Sequence, residues 1–286
     1  MKKIAVCVIA TSVYKNLLNP LIESMKKHLL SNEEVSLFIF CDYPSSRGWL
    51  ETHGYEIFWT QISHQPFPLP TLFRHRTLLQ REQHLREFEY IFHFDADVLF
   101  VGDIGSEILG EGLTATQHPS ASCGKKDIYF GRDPKDIPLP INSVDEPIWN
   151  LDGEWVSHTF EKNKQSKAFI PPEKRKKYFA GAFQGGKSDL YIQAMQEMSY
   201  NIDTDLGQNI IARYHDESHW NRYLVDNPPK TILPFWYCFP EWEEWQSGVV
   251  AWKREVCVPE GEQVKMLCLD KDMHGGYESY RGNAKK

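Results

Sequence analysis

The order of the apolar runs constrains this chain most. Ile4–Ala10, Val35–Phe40, Tyr55–Trp59 and Tyr90–Phe94 are short, rich in β-branched and aromatic residues, and read as buried strands. Between the first two, Pro20–Leu30 carries Leu21, Ile22, Met25 and Leu29 at helical spacing. Between the last two, Thr71–Glu87 has helical composition, with Leu72, Leu78, Leu79 and Leu85 on one face. A β-α-β-β-α-β alternation predicts an α/β fold built on a doubly wound, mostly parallel sheet. Such sheets bind ligands beyond the carboxyl ends of their strands, so the residues just after each run are where chemistry is expected.

Size and charge narrow the class. At 286 residues the chain is long enough for one large α/β domain or two small ones. A net charge of −7 disfavours a general nucleic-acid binder, which needs cations to neutralise phosphates. No run approaches the 18 or so apolar residues of a membrane helix. Lys2-Lys3 before Ile4–Ala10 mimics a signal peptide, but the run passes straight into Thr11-Ser12-Val13-Tyr14 without a small-x-small pattern, and a first strand is the better reading. The six cysteines are scattered without a CxxC, which argues against a thiolate zinc site and for a soluble, cytoplasmic chain with free thiols. Aromatic residues reach 13%, with Phe235-Trp236-Tyr237, Trp242, Trp245 and Trp252 crowded late in the chain. They fit either an aromatic core or a cleft that stacks sugar rings.

The second half is less regular. Gly124–Asn150 holds Pro134, Pro138, Pro140 and Pro147 and reads as a long loop or insertion. Asp189–Met198 reads as a helix, and so does Asp205–Val225, with Pro228-Pro229 just past its end. From Gly261 the sequence is polar and predicts a tail that is disordered or ordered only by ligand.

Four segments carry candidate chemistry. Asp95-Ala96-Asp97 follows the apolar Ile91–Phe94, and period-two geometry points both carboxylates the same way. Two hard oxygen ligands suit Mn²⁺ or Mg²⁺, which leave positions for substrate phosphates; a solvated strand-end turn is the plainer alternative. His215-Asp216-Glu217-Ser218-His219 places two histidines four apart, a spacing compatible with zinc, although the residue after the first histidine is Asp216 rather than glutamate. Alternatively it is a polar helical turn, or Asp216 and Glu217 hydrogen-bond a sugar and stabilise positive charge. Ala180-Gly181-Ala182-Phe183-Gln184-Gly185-Gly186 matches no phosphate-binding loop; its small residues serve close ligand approach or tight packing. Lys174-Arg175-Lys176-Lys177 reads as solvated surface, with phosphate contact the minority reading.

In this order the chain resembles glycosyltransferase family six, which includes the histo-blood-group A and B transferases and the α-1,3-galactosyltransferases. The resemblance rests on Val8–Tyr14, Phe94–Asp97, Thr116–Pro119, Phe160-Glu161 with Ser166–Pro171, Tyr178–Gly186 and His215–Leu224. It implies a GT-A fold, a Rossmann-like doubly wound mixed sheet flanked by helices. One catalytic domain would span 1–245, with 1–100 its nucleotide-binding half and 101–245 its acceptor and catalytic half. The insertion would fall near 124–150, and 246–286 would form a C-terminal segment that is mobile or closes over the donor.

The resemblance further implies retaining α-transfer of galactose or N-acetylgalactosamine from a UDP-sugar, with Mn²⁺ (Mg²⁺ as the substitute) assisting UDP departure. The acceptor would be an oligosaccharide or a glycolipid or lipopolysaccharide-type glycan. On this sequence Asp95 and Asp97 take the metal positions; Ile9, Ala10 and Tyr14 lie where the family holds uracil. Arg76, with Arg74 as its rival, falls near a donor-contacting arginine. Ala180 and Ala182, flanking Gly181, match positions that separate donor preferences, Ala182 slightly favouring galactose. Asp216 matches a donor-sugar contact, His118, Tyr214 and Glu217 match acceptor contacts, and Glu217 also the catalytic carboxylate. Lys271, Arg281 and Lys285 are candidates to close over the diphosphate. The retained acid pair predicts metal dependence, and the lack of a membrane anchor a soluble bacterial or phage-type member. Two readings compete: a non-catalytic carbohydrate-binding protein, and a zinc hydrolase using His215 and His219.

Overall fold

The first apolar run becomes strand β1 (Lys3–Ala10), which lies inside a seven-stranded sheet. In this computed structural model the residues described are 1–42, 50–119, 160–241, 244–246, 251–253 and 258–269. The proline-rich 124–150 segment, Trp242, Lys271, Arg281 and Lys285 lie outside them, as do the side chains of Trp245 and Trp252.

After β1 come α1 (Leu18–His28), β2 (Glu34–Cys41) and β3 (Glu56–Gln61). Three short helices follow, α2 (Leu69–Leu72), α3 (Arg74–Leu79) and α4 (Glu82–Leu85), then β4 (Tyr90–Phe94), β5 (Val98–Phe100) and β6 (Leu113–Gln117). The second half supplies β7 (Phe179–Lys187), α5 (Ser188–Gly207), α6 (His215–Asp226) and β8 (Thr231–Leu233). The last strands are β9 (Phe239–Pro240), β10 (Glu244–Gln246), β11 (Ala251–Lys253) and β12 (Met266–Cys268).

The sheet order is β3-β2-β1-β4-β7-β6-β8. β3, β2, β1 and β4 run parallel, β7 is antiparallel to both β4 and β6, and β6 is parallel to β8. The sheet is therefore mixed but mostly parallel, with β7 alone running against the other six strands. The chain leaves β1 on one side toward β2 and β3 and returns on its other side as β4. That reversal opens a crevice beyond the ends of β1 and β4, where ligands of such sheets bind.

Both faces of the sheet are covered, which explains why the parallel strands read as unbroken apolar runs. Val6 and Val8 pack with Leu21, Ile22 and Met25 of α1 on one face. On the other, Ala5 and Cys7 join Leu78, Tyr191, Met195 and Trp220 from α3, α5 and α6. Trp220 is fully buried, so part of the aromatic excess is core.

Three local expectations need correction. Thr71–Glu87 is broken into three short helices, since Phe73 and Arg81 leave helical geometry between them. The helix after β7 runs on to Gly207. Asp205–Val225 is two elements, because α5 closes in a Schellman-type turn: the Ile210 amide donates to the Asp205 carbonyl at 2.9 Å and Asn209 takes φ 58°. α6 then starts only at His215, itself at φ 49°.

A second, three-stranded sheet, β5-β12-β9, was not foreseen. β12 pairs antiparallel with β5 and parallel with β9, and the Leu269 amide donates to the Asp97 carbonyl at 2.8 Å. The last described residues are thereby held beside the acid pair.

Candidate active site

A cavity of about 410 Å³ opens beyond these strand ends. Asp95 and Asp97 enter it from the end of β4, Ala180, Gly181 and Ala182 from β7, and His118 from just past β6. Tyr214, Asp216 and Glu217 enter from the start of α6, and Cys238 and Cys268 form part of the wall. A smaller lobe of about 90 Å³, lined by Ile9, Tyr14 and Ala96, shares Phe67, Arg74, Asp95 and Asp97 with it.

Arg74 joins the two halves of the site. One guanidinium nitrogen, Nη2, donates to Asp95 Oδ1 at 2.7 Å, and Nη1 donates to the Gly181 carbonyl at 2.5 Å. Nη1 also lies 3.0 Å from Asp216 Oδ2. Its side chain is 7% exposed. Burial opposes its charge, but Asp216 and Asp95 outweigh that and hold the guanidinium above its ordinary pKa. The same burial pushes the Asp216 carboxyl up to about 7, against the pull of Arg74 and with Asp95 and Glu217 adding to the rise.

Glu217 is held from two sides. The Tyr178 hydroxyl donates to Oε1 at 2.7 Å, and the Gly181 amide donates to Oε2 at 2.7 Å. Burial nevertheless raises its carboxyl to about 7; the two hydrogen bonds and Arg74 moderate the rise. Tyr178 is fixed by Phe160, ring centroids 5.0 Å apart, and by His118 at 5.7 Å. Asn221, one turn along α6, accepts from the Phe179 amide and donates to the Phe179 carbonyl, both at 2.8 Å, clamping helix to strand. Burial lowers His118 to about 4, so it meets the cavity as a neutral imidazole.

Of the residues singled out in sequence, Ile9, Tyr14, Asp95, Asp97, His118, Ala180, Gly181, Ala182, Tyr214, Asp216 and Glu217 border one or both lobes. Two do not. Ala10 is fully buried behind the lobe. Arg76 pairs with Asp203 and stacks over Phe73 at 4.7 Å, bordering an adjoining recess that shares Ile9 and Thr11 with the small lobe rather than either lobe itself. The arginine in the cleft is Arg74, because α3 turns alternate residues to opposite sides.

The paired-histidine spacing brings no joint ligand set. His215 Nδ1 lies 3.1 Å from Thr71 Oγ1 at the cavity, whereas His219 is buried 3.6 Å from Asp205. The basic run lies away from the cavity: Lys174 faces Asp226 at 3.9 Å, and Arg175 donates to the Ile170 carbonyl at 2.8 Å. Of the glycines, Gly185 is structural, since a Cβ there would collide with the Ile91 carbonyl on β4. Phe67, Thr71, Cys238 and Cys268 carried no sequence signal of their own, and Tyr178 entered only as the first residue of the Tyr178–Gly186 stretch; each owes its place to a contact across 30 residues or more.

Among the described residues no group of three or more His, Cys, Asp or Glu side chains is arranged to hold a metal by itself. Asp95 and Asp97 do share the cavity, with Asp97 only 6% exposed. Mg²⁺-like ions are commonly held by one or two carboxylates plus substrate phosphates. The pair therefore fits a cation that arrives with a diphosphate, not one in an all-protein cage.

A fold with its acids beyond β4 and a clamped glutamate on α6 defines a class, and the comparisons agree on it. The model of glycosyltransferase family 6 matches residues 146–264. The chain is similar to rat histo-blood group ABO system transferase 1, 26% identical over 91% of this chain and 67% of that protein. Human globoside alpha-1,3-N-acetylgalactosaminyltransferase 1 is 23% identical over 94% of the chain and 67% of its own length. The Escherichia coli O-antigen biosynthesis glycosyltransferase WbnI is 26% identical over 77% and 74%. The chain is a glycosyltransferase, for which a nucleotide-sugar donor and a glycan acceptor follow. Its similarity is to glycosyltransferase family 6. No helix among the described residues is long and apolar enough to cross a membrane.

Proposed function

We propose that the chain transfers galactose or N-acetylgalactosamine from a UDP-sugar to a hydroxyl of a glycan acceptor, with retention of the α configuration. The observation that carries this reading is the Glu217 carboxylate, fixed by Tyr178 and Gly181 in the cavity it shares with Asp95 and Asp97.

In this proposal the small lobe takes the uracil end against Ile9 and Tyr14, with Ala10 beneath. Ala180, Gly181, Ala182 and Asp216 contact the donor sugar, and His118, Tyr214 and Glu217 contact the acceptor. Asp95 and Asp97 would hold Mn²⁺, or Mg²⁺ in its place. Such an ion, when bound, neutralises charge on the departing diphosphate. As the sugar C1 becomes electron-poor, Glu217 either attacks it, giving a glycosyl-enzyme and net retention by double displacement, or stabilises the cation while the acceptor attacks from the leaving-group face. Tyr178 and Gly181 fix the orientation of the carboxylate in either case. Arg74 keeps Asp95 and Asp216 from repelling one another across the cleft.

The test is UDP release from a panel of UDP-sugars in EDTA, then with Mn²⁺, then with glycan acceptors. Slow Mn²⁺-dependent hydrolysis of UDP-galactose or UDP-N-acetylgalactosamine, accelerated by one acceptor, is expected. Retained glycan binding with no donor turned over would make the chain a carbohydrate-binding protein instead.

A further inference from the structure

Two cysteines far apart in sequence meet in the wall of the cleft. Cys238 Sγ and Cys268 Sγ are 3.1 Å apart. Cys238 is buried just before β9, and Cys268 is half-buried at the end of β12. Both line the main cavity, beside Pro240 and Leu269. The two segments are parallel neighbours, with Leu267 opposite Phe239 and Cys268 opposite Pro240. On its other side β12 pairs with β5, Cys268 opposite Val98, and Leu269 bonds to the Asp97 carbonyl. The thiol pair thus sits in the cavity wall where β9 meets β12, next to the strand that follows the acid pair.

We propose that Cys238 and Cys268 form a redox-modifiable dithiol whose oxidation to an intramolecular disulfide reshapes the cleft and slows transfer. A low-molecular-weight disulfide is the oxidant. The Cys268 thiolate, on the more exposed residue, attacks one sulfur of the oxidant, forming a mixed disulfide and releasing one thiol. Cys238 then gives up its proton to solvent, attacks Cys268 Sγ and displaces the second thiol. Two protein thiols and one disulfide become one protein disulfide and two small thiols.

Geometry favours the internal bond over a lasting adduct, because the resolving sulfur is already in contact. Among the described residues the other free thiols, Cys7 and Cys41, are buried in the sheet. The hydrogen bond with Cys268 and then burial push the Cys238 thiol up, which leaves the first attack to Cys268. Closing the 3.1 Å contact to a bonded ~2.05 Å moves the two walls by about 1 Å. Displacements of that size in a reacting site lower rates by up to about a hundredfold.

The full chain is equilibrated in buffers of stepped reduced-to-oxidised glutathione ratio, alkylated and mapped by mass spectrometry, with transfer measured in parallel. This second arm rests on the proposed function. The expected result is a linked Cys238–Cys268 peptide pair that disappears with dithiothreitol, accompanied by a reversible loss of about tenfold or more in transfer. Cys268→Ser should abolish the oxidant's effect relative to that variant's own reduced state, and Cys238→Ser should abolish the link and leave the glutathione adduct on Cys268 unresolved. In the parent chain, glutathione adducts without the link, no oxidation, or a link that leaves transfer unchanged would each overturn the proposal. If the reduced chain turns over no donor, the transfer reading has failed separately. The peptide map still decides the link, and calorimetric UDP affinity of the two forms decides its effect on the cleft.

Discussion

The Tyr178 hydroxyl, just before β7, donates to Glu217 Oε1 at the start of α6 at 2.7 Å. Burial and the Glu217 charge push the Tyr178 phenol well above its ordinary value, so it remains a donor across the working range. Removing it leaves Glu217 with the Gly181 amide alone. Tyr178→Phe should lower turnover by about tenfold, the equivalent of one charge-assisted hydrogen bond, with little change in donor KM. Because that bond lowers the carboxyl pKa, the acid limb of the pH–rate profile should move up from near 7. An unmoved limb would reduce Tyr178 to a packing residue.

Glu217 itself makes a thermodynamic prediction whose sign is unusual for a carboxylate. Its pKa is raised to about 7, so between the unfolded value of about 4.5 and 7 the native state holds a proton that the unfolded chain has released. This group's contribution to stability is complete below that window and declines as pH rises through it. Glu217→Gln removes the decline, so urea melts should show the variant gaining on the parent from pH 5 to pH 8. The same variant should lose at least about a hundredfold in transfer while still binding UDP. Near-normal turnover would take Glu217 out of the mechanism.

Arg74 and Arg76 lie two residues apart and predict opposite outcomes. Arg74 is buried between Asp95 and Asp216, and Arg74→Ala strands two carboxylates, at a cost of about 3–5 kcal/mol. Transfer should go with it. Arg76 and Asp203 are each about half exposed, so Arg76→Ala should change stability by less than about 1 kcal/mol and leave transfer intact. Chemical melts and initial rates of both variants check this; a larger effect at Arg76 would return the donor contact to that residue.

This pair also marks where sequence reading stopped. The four strand runs, α1 and the position of the acids were visible because burial on both faces writes itself as local apolar periodicity. The β7 stretch was noted only as a glycine-flanked run, and neither its strand state nor its antiparallel direction was assigned, since both depend on where the chain re-enters the sheet. The start of α6 was hidden by the continuing helical composition across Gln208–Tyr214, which left-handed Asn209 interrupts. Asp95, Asp97, Asp216 and Glu217 were found through motifs. Arg74 was placed only as the rival of Arg76, and Tyr178 and the Cys238–Cys268 contact were assigned no role, because each is defined by tertiary neighbours.

Gly181 tests how tightly the glutamate is seated. A Cβ built there lies 3.2 Å from both Cβ and Oε2 of Glu217 and 3.5 Å from Arg74 Nη1. Gly181→Ala must therefore displace Glu217 by a few tenths of an ångström. Stability should fall by about 1 kcal/mol, typical of mild overpacking. Turnover should fall further than UDP affinity, because the displaced group is the carboxylate and not the small lobe. Equal losses in the two would indicate general disruption of β7.

The acid pair makes the last prediction. Among the described residues no group of three or more His, Cys, Asp or Glu side chains could hold a metal, so a cation at Asp95 and Asp97 is expected to draw further oxygens from the substrate. Titration followed by the Mn²⁺ spin-resonance signal should show weak binding to the chain alone and tighter binding once UDP is added. Asp97→Asn keeps the shape and one oxygen but removes the charge. It should weaken UDP-dependent Mn²⁺ binding by at least about tenfold and abolish stimulation of transfer by the ion. Asp95→Asn should do the same and, by halving the ion pairing of Arg74, also destabilise the fold, which Asp97→Asn should not. Full activity of Asp97→Asn in EDTA would remove the metal from the reading and leave Asp95 as a partner of Arg74.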